Sequence, residues 1–352
     1  MVKKRGAIAA IALAATGCNQ VAGIDKDFHG CVDGPDGDLC RTVQLFEAPE
    51  GDAKPFGIAV DDTYVYWTLT VDGVAWGCQP QATASQVMRA KKSDGSGATS
   101  ILDANSAAYV AADDTHVYVT EFVVNGGIAR IPRDGGAADL SIVDQACPNA
   151  ITAHAGSVVW ANYGGDASVG SIMHAPASGG SATEIAGNRL SPFGIVVSGN
   201  SAYWQDQPGM AGTEQLRRAP LTGGTVDSGF ATVASCAGEL AADDRYIYFG
   251  SKPKPGDCGG NDYVVSRIPL AGGEPEPLAT GQSEPAHLAV DKAFVYWTNT
   301  GNGTVMKVPL EGGDPVVLAM EQDTPFDIAV DDNYVYWTNR SSSHGAVMRV
   351  QK

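Results

Sequence analysis

The sequence predicts an all-β ring of seven four-stranded blades, and three observations predict it. One phrase recurs seven times, most fully as TPFDIAVDDNYVYWTN at residues 324–339. The strand at its centre carries large apolar residues on both faces. Equivalent positions Asp61, Asp113, His154, Ser198, Asp243, Asp291 and Asp331 stand 52, 41, 44, 45, 48 and 40 residues apart. A strand with no polar face can be covered only by neighbours on both sides, and a four-stranded unit of this length is a propeller blade. The expected fold is therefore a seven-bladed β-propeller of four-stranded antiparallel blades, closed by an N-terminal strand that completes the last blade.

Each part of the repeat has a reason. In the last copy Ile328, Ala329 and Val330 read as a strand, and Tyr334 to Thr338 as the next. Asp331, Asp332 and Asn333 between them are turn formers, because short Asp and Asn side chains accept local backbone hydrogen bonds. Trp67, Val119, Trp160, Trp204, Phe249, Trp297 and Trp337 share one face of the second strands, and Tyr66, Tyr118, Val159, Tyr203, Tyr248, Tyr296 and Tyr336 the other. A third strand and a Gly-containing turn follow, as in VMKVPLEGG at 305–313, then a fourth apolar stretch such as PVVLA at 315–319. The seventh copy stops after its third strand, at VMRVQK. TVQLFEA at 42–48 resembles the fourth strands and is expected to fill that place, leaving the ring without an open edge.

Residues 1–17 read as an export signal. Lys3, Lys4 and Arg5 precede an apolar run of nine residues, too short to span a bilayer. The ending Ala15-Thr16-Gly17-Cys18 resembles the lipobox of bacterial lipoproteins, which implies cleavage before Cys18, acylation there and attachment to the cell envelope. The alternative is an ordinary cleaved signal that leaves Cys18 free. Asn19 after Cys18 is not the Asp that retains some lipoproteins at the inner membrane, so the outer membrane is the preferred destination. Residues 18–41 read as a tether and 42–352 as the propeller.

The chain has 23 basic and 40 acidic residues; without the three basic residues of the signal the balance is 20 against 40, a net of −20. That field repels phosphate backbones, so nucleic acid is not an expected partner. Apart from Cys18 there are six cysteines, an even number in a chain addressed to an oxidising compartment. Cys31 and Cys40 bracket a small loop. Cys78 and Cys258 fall in inserted loops, and Cys147 and Cys236 in links between blades that open on the same face. The expected pairs are Cys31 with Cys40, Cys236 with Cys258 and Cys78 with Cys147.

At IAVDDTYVYWT, residues 58–68, followed by MRAKKSDGSGATSIL at 88–102, the chain resembles the YWTD repeat of lipoprotein-receptor propellers, and in GIAVD at 57–61 it is similar to the NHL repeat. YWTD propellers have six blades, and here Leu69, Asn299 and Asn339 stand in the place of the motif's Asp. The resemblance implies a rigid disk used for protein or small-ligand binding; it implies no particular partner.

Two sets of residues could form a site. The residue just before each first strand is expected at the channel mouth, a ring that reads Gly57, Tyr109, Ala150, Gly194, Glu239, His287 and Asp327. Glu239, His287 and Asp327 are consecutive in that ring and could hold a divalent cation (Ca, Mg or Mn) that activates water. Glu121, Asn162, Asp206, Asn299 and Asn339, at the ends of second strands, are ligand-face candidates on the same side. A basic column on the third strands, Arg89, Arg130, His174, Arg218, Arg267, Lys307 and Arg349, is expected to pair with the turn aspartates. No GxSxG, HExxH or Walker loop is present. Two function classes follow. One is a non-enzymatic envelope lipoprotein that binds a protein, peptide or glycan through its loop-rich face, chiefly the inserts 69–86 and 250–262. The other is a metal-dependent lyase or hydrolase working at the channel mouth.

Overall fold

Seven four-stranded antiparallel sheets stand in a ring in the computed structural model, which describes residues 31–34, 37–40, 42–49, 53–70, 78, 83–164, 169–206, 214–233, 238–253, 260–341 and 345–352. In blades 1 to 6 the strands lie side by side in chain order from the channel to the rim. Each first strand packs on the first strand of the next blade, and that of blade 7 on that of blade 1. Blade 7 takes its fourth strand from the other end of the chain: Val43–Glu47 runs antiparallel to Ala346–Gln351, with Val43 opposite Arg349 and Glu47 opposite Ala346. The covalent chain thus joins every blade to the next, and the hydrogen-bonded seam closes the circle.

The aromatic columns are the packing between blades. Trp67, Trp160, Trp204, Trp297 and Trp337 are wholly buried, as are Tyr66, Tyr248, Tyr296 and Tyr336. Each such ring removes on the order of 150–250 Å² of surface from water, which makes this layer the main source of cohesion. The tyrosines also reach the turns. In blades 1, 2, 5, 6 and 7 the turn aspartate accepts the hydroxyl of its own tyrosine and the backbone N–H of the residue three positions on, as Asp331 does from Tyr336 (2.9 Å) and Tyr334 (2.8 Å). One carboxylate therefore shapes the hairpin and satisfies the buried phenol.

The basic column behaves differently from the expectation. Arg89, Arg130, Arg218, Arg267 and Arg349 donate to a backbone carbonyl of the following blade, those of Arg133, Ala177, Leu270, Leu310 and Lys92 respectively. Arg130, Arg218 and Arg267 also pair with fourth-strand carboxylates, Asp139, Asp227 and Glu276. The turn aspartates take a cation three residues further along the chain, from the next blade: Arg133 for Asp61, Lys92 for Asp331 and Lys352 for Asp291. A third-strand side chain lies at mid-height in the blade, too far from the turn, whereas the residue that leaves that strand emerges beside it. In blades 3 to 6 this residue is Ala177, Leu221, Leu270 or Leu310, so these ion pairs gather around the closing seam.

Cys78 and Cys147 form a disulfide, with Cα atoms 5.7 Å apart, that ties the insert of blade 1 to the link between blades 2 and 3. In the segment expected as a tether, Cys31–Gly34 and Gly37–Cys40 make a two-stranded ribbon whose register sets Cys31 opposite Cys40. Cys18, Cys236 and Cys258 lie outside the described residues, as do most of the insert 69–86 and residues 254–259 of the other.

Candidate functional site at the channel mouth

A β-bulge recurs where the first strands pass the mouth of the channel. In blades 1, 2, 3, 4, 6 and 7 the ladder to the second strand skips at Pro55/Ile58, Ala107/Val110, Pro148/Ile151, Phe193/Val196, Pro285/Leu288 and Pro325/Ile328. The ring of Gly57, Tyr109, Ala150, Gly194, His287 and Asp327 therefore lies inside the first strands, and only Glu239 precedes one, the short Ala241–Ala242. A bulge interrupts pairing and re-aims a side chain, which is how these residues escape the alternation of the strand.

In blades 1, 6 and 7 the threonine of the repeated Tyr-Trp-Thr fixes the bulge. Thr68, Thr298 and Thr338 accept the amide of their own bulge, at Gly57, His287 and Asp327, and donate to a carbonyl of the next blade, at Ala108, Phe326 and Phe56. These hydroxyls are wholly buried. Blades 3, 4 and 5 have Ala161, Gln205 and Gly250 at this position. Gln205 keeps the donor half by giving Nε2 to Gly238 O at 2.8 Å.

Glu239, His287 and Asp327 do come together. His287 Nδ1 lies 2.9 Å from Asp327 Oδ1. Asp327 also accepts the amides of Ile328 and, across the seam, of Ile58, both at 2.8 Å. The Glu239 carboxylate accepts the Tyr109 hydroxyl and the Gly194 amide. Four rings meet around them: Tyr109 stacks on His287 with centroids 5.7 Å apart, and Phe56 and Phe326 complete the circuit at 5.2, 4.8 and 4.4 Å. Arg340 lays its guanidinium over Phe56 and Phe326, 4.6 and 4.4 Å from their centres.

Burial sets the electrostatics of this cluster. It pushes the Glu239 carboxyl up to about 7, with Asp327 adding to the rise and His287, Tyr109 and the Gly194 amide opposing it. Burial also disfavours a charged His287, but the adjacent Asp327 carboxylate outweighs it and holds the imidazole above its ordinary value. The Tyr109 phenol is pushed well up by burial and by Glu239, and burial lowers Arg340. Acid, base and cation thus lie close enough to act on one another's charge, the arrangement in which proton exchange near neutral pH becomes possible.

The cluster is not a chelate. Among the described residues no group of three or more His, Cys, Asp or Glu is arranged to hold a metal ion. The physical reason is that His287 Nδ1 and both Asp327 oxygens already face protein partners. The ligand-face candidates are corrected more sharply. Asn162, Asp206, Asn299 and Asn339 are 4, 5, 2 and 7% exposed. Asn162, Asp206 and Asn339 accept the indole N–H of Trp160, Trp204 and Trp337, two residues earlier on the same strand. Asn162, Asn299 and Asn339 also donate to Gln145, Gln282 and Gln322, which lie at or just after the end of the preceding blade's fourth strand. Asn162, Asp206 and Asn339 cap the tryptophan column, whereas Trp297 donates to Gln282 instead of Asn299, and all four side chains are buried. Glu121 is half-buried and accepts the Asn105 amide.

Phe56, Phe326, Gln205 and Arg340 belong to the mouth and were not foreseen. The first two stand beside ring positions and could have been found by extending the column one residue; nothing in the repeat marks Arg340. A cavity of about 770 Å³ opens beside the hairpin turns of blades 5 to 7. Its acids Asp291 and Asp331 are held by Lys352 and Lys92.

Ring, blade count and strand order make the chain a seven-bladed β-propeller. It is similar to a streptogramin B lyase, with a TM-score of 0.63 and 16% identity over 88% of this chain and 98% of that one. It is likewise similar to virginiamycin B lyase from Staphylococcus aureus, with a TM-score of 0.61 and 16% identity over 87% and 98%, and to the WD40 propeller domain of Doa1, at 0.57 and 12% over 88% and 97%. At these identities the likeness is one of fold. No protein-family model matches the chain, and no curated protein matches it in sequence.

Proposed function

We propose that the protein is an exported binding module, anchored to the bacterial envelope through Cys18, that takes a protein, peptide or glycan on its loop-rich face with the channel mouth as the selective part of that face. The observation that carries this is the cluster of Glu239, His287, Asp327 and Arg340 among aromatic rings. Burying charge costs stability, and a chain that needed only a plug could fill the channel with apolar side chains, as its blades do. To test it, solubilised envelope material is passed over the immobilised protein and the bound fraction is compared with that of His287→Asn. Loss of the wild-type ligand from the variant is expected; equal retention refutes the channel mouth as the site. Labelling with radioactive palmitate, present in wild type and absent from Cys18→Ala, tests the anchor.

A second reading has its own support. His287 oriented by Asp327, with Glu239 poised near neutrality, has the composition of an acid–base pair, and two similar propellers are lyases of streptogramin B and virginiamycin B. Chromatographic loss of intact streptogramin B on incubation, abolished in His287→Asn, would favour an eliminating enzyme. A divalent cation would have to displace the contacts His287 and Asp327 now make, and calorimetry of metal-free protein with calcium, magnesium and manganese measures whether any does.

A further inference from the structure

The junction of blades 4 and 5 departs from the threonine latch of blades 1, 6 and 7. Where Thr68 and Thr338 accept their own bulge amide and donate to the next blade, the two halves of the task are divided here. Gly194 N donates to the Glu239 carboxylate from the neighbouring blade, and Gln205 Nε2 donates to Gly238 O. The Gln205 oxygen is thereby released from the latch. Gln205 is wholly buried, and its Oε1 has no hydrogen-bond partner among the described residues. An orphaned buried acceptor is costly and calls for a donor.

The two acceptors belong to one junction. The Gln205 amide end is fixed at Gly238, and the next residue is Glu239, whose carboxylate reaches Gly194 on the strand beside Gln205. Two oxygens, one of them a carboxylate, therefore serve one junction, and no lysine or arginine forms an ion pair with Glu239 among the described residues. Gly194 leaves little room to spare: its φ is +55°, and a Cβ there would stand 3.2 Å from Glu239 Oε2. The aromatic circuit comes from blades 1, 2, 6 and 7, while the ring positions of blades 3 and 4 are the small Ala150 and Gly194. Glu239 and Tyr109 are each half-buried, whereas Gln205 is wholly enclosed. The mature chain's excess of acid favours the approach of a cation.

We propose that this junction is a subsite for a primary ammonium group on a slender stem, with the Glu239 carboxylate as its ion partner, Gln205 Oε1 as a second acceptor and the Tyr109 ring against the stem. An ammonium supplies three N–H donors and a charge: Gln205 Oε1 has no donor among the described residues, and the two hydrogen bonds that Glu239 accepts come from neutral groups, Tyr109 and the Gly194 amide. The subsite rests on the channel mouth being the place of binding, and it narrows the ligand to one bearing a free amine.

Titration calorimetry on the full chain decides it, with n-butylammonium chloride as a free amine and glycylglycinamide as a peptide α-ammonium, against 1-pentanol and tetramethylammonium chloride. Saturable binding of at least one of the two primary ammonium probes is expected, and which one binds identifies the source. Affinity should fall about tenfold or more in Glu239→Gln, which keeps shape and hydrogen-bonding reach but not charge. It should fall by a smaller factor in Gln205→Met, which also removes the bond to Gly238 O, with a cooperative melt showing that the junction stays folded without it. Neither 1-pentanol nor tetramethylammonium should compete. Equal binding of 1-pentanol, unchanged affinity in Glu239→Gln, or no ammonium binding to the folded protein overturns the assignment. If it falls while His287→Asn still loses the envelope ligand, the channel mouth stands and only the ammonium is wrong; if both fail, the mouth is not the site.

Discussion

Replacing Glu239 by glutamine should stabilise the protein, and by an amount that grows with pH. The carboxyl sits where burial raises it from 4.5 to about 7, so the folded protein holds a proton that the unfolded chain has already released. For a carboxyl raised in this way stability falls as pH climbs from the unfolded value towards the folded one, because the unfolded state binds fewer protons across that window. The shift corresponds to about 3 kcal/mol once pH exceeds 7, and partial exposure of the side chain to the channel reduces this somewhat. Glutamine has no proton to lose and can still accept the Gly194 amide. Denaturation midpoints of wild type and Glu239→Gln, measured from pH 5 to pH 8, should coincide near pH 5 and separate by 5–10 °C or the equivalent in urea at pH 8, on the order expected for a few kcal/mol in a domain of this size. A constant gap across that range, or a less stable variant at pH 8, would refute the argument that Glu239 is held against its own solvation. A carboxylate that lowers stability and is nevertheless present is the mark of a group kept for what it binds or does.

Other outcomes follow from particular contacts. Asp327→Asn should lower the pKa of His287, read by NMR titration of its ring carbon, because desolvation then acts without its counter-ion. Thr338→Val, which leaves the Asp327 amide and the Phe56 carbonyl unpaired at the seam, should cost about 1–3 kcal/mol in denaturant melts. Loss of the Cys78–Cys147 bridge, which closes a separation of 69 residues, should lower stability by up to about 4 kcal/mol in the double serine variant. Asp113, Asp291 and Asp331 are opposed by burial but held below the ordinary carboxylate value by the hydrogen bonds of their turns and, for the latter two, by Lys352 and Lys92. Their stabilisation is present above about pH 4 and is lost as pH falls further, so acid melts should show neutral substitution of Asp331 mattering at pH 6 and fading near pH 3.

Local pattern reached a long way into this protein. The two-faced apolar strand, the Asp turn and the spacing of the copies are each written in a short stretch, and an element buried on both sides has few ways to be covered. Ring, blade count and the closing strand at Val43–Glu47 followed from that. The convergence of Glu239, His287 and Asp327 was legible for the same reason, since equivalent positions in a closed ring must face one axis. Partners were not legible. The basic column was assigned to turn aspartates because the charges were complementary, yet a shift of three residues decides which side chain leaves the blade at the height of the turn.

What the sequence settled alone was the repeating unit and the need for it to close, because hydrophobic periodicity is a property of each strand before any packing occurs. The tertiary structure decided which polar residues face the channel and which are used up inside: Asn162, Asn299 and Asn339 turn to glutamines at the end of the preceding blade, and a bulge turns Asp327 and His287 to the channel. Strand parity cannot distinguish these cases. A bulge and a neighbouring blade can, since they fix the direction and the partner of each buried polar group.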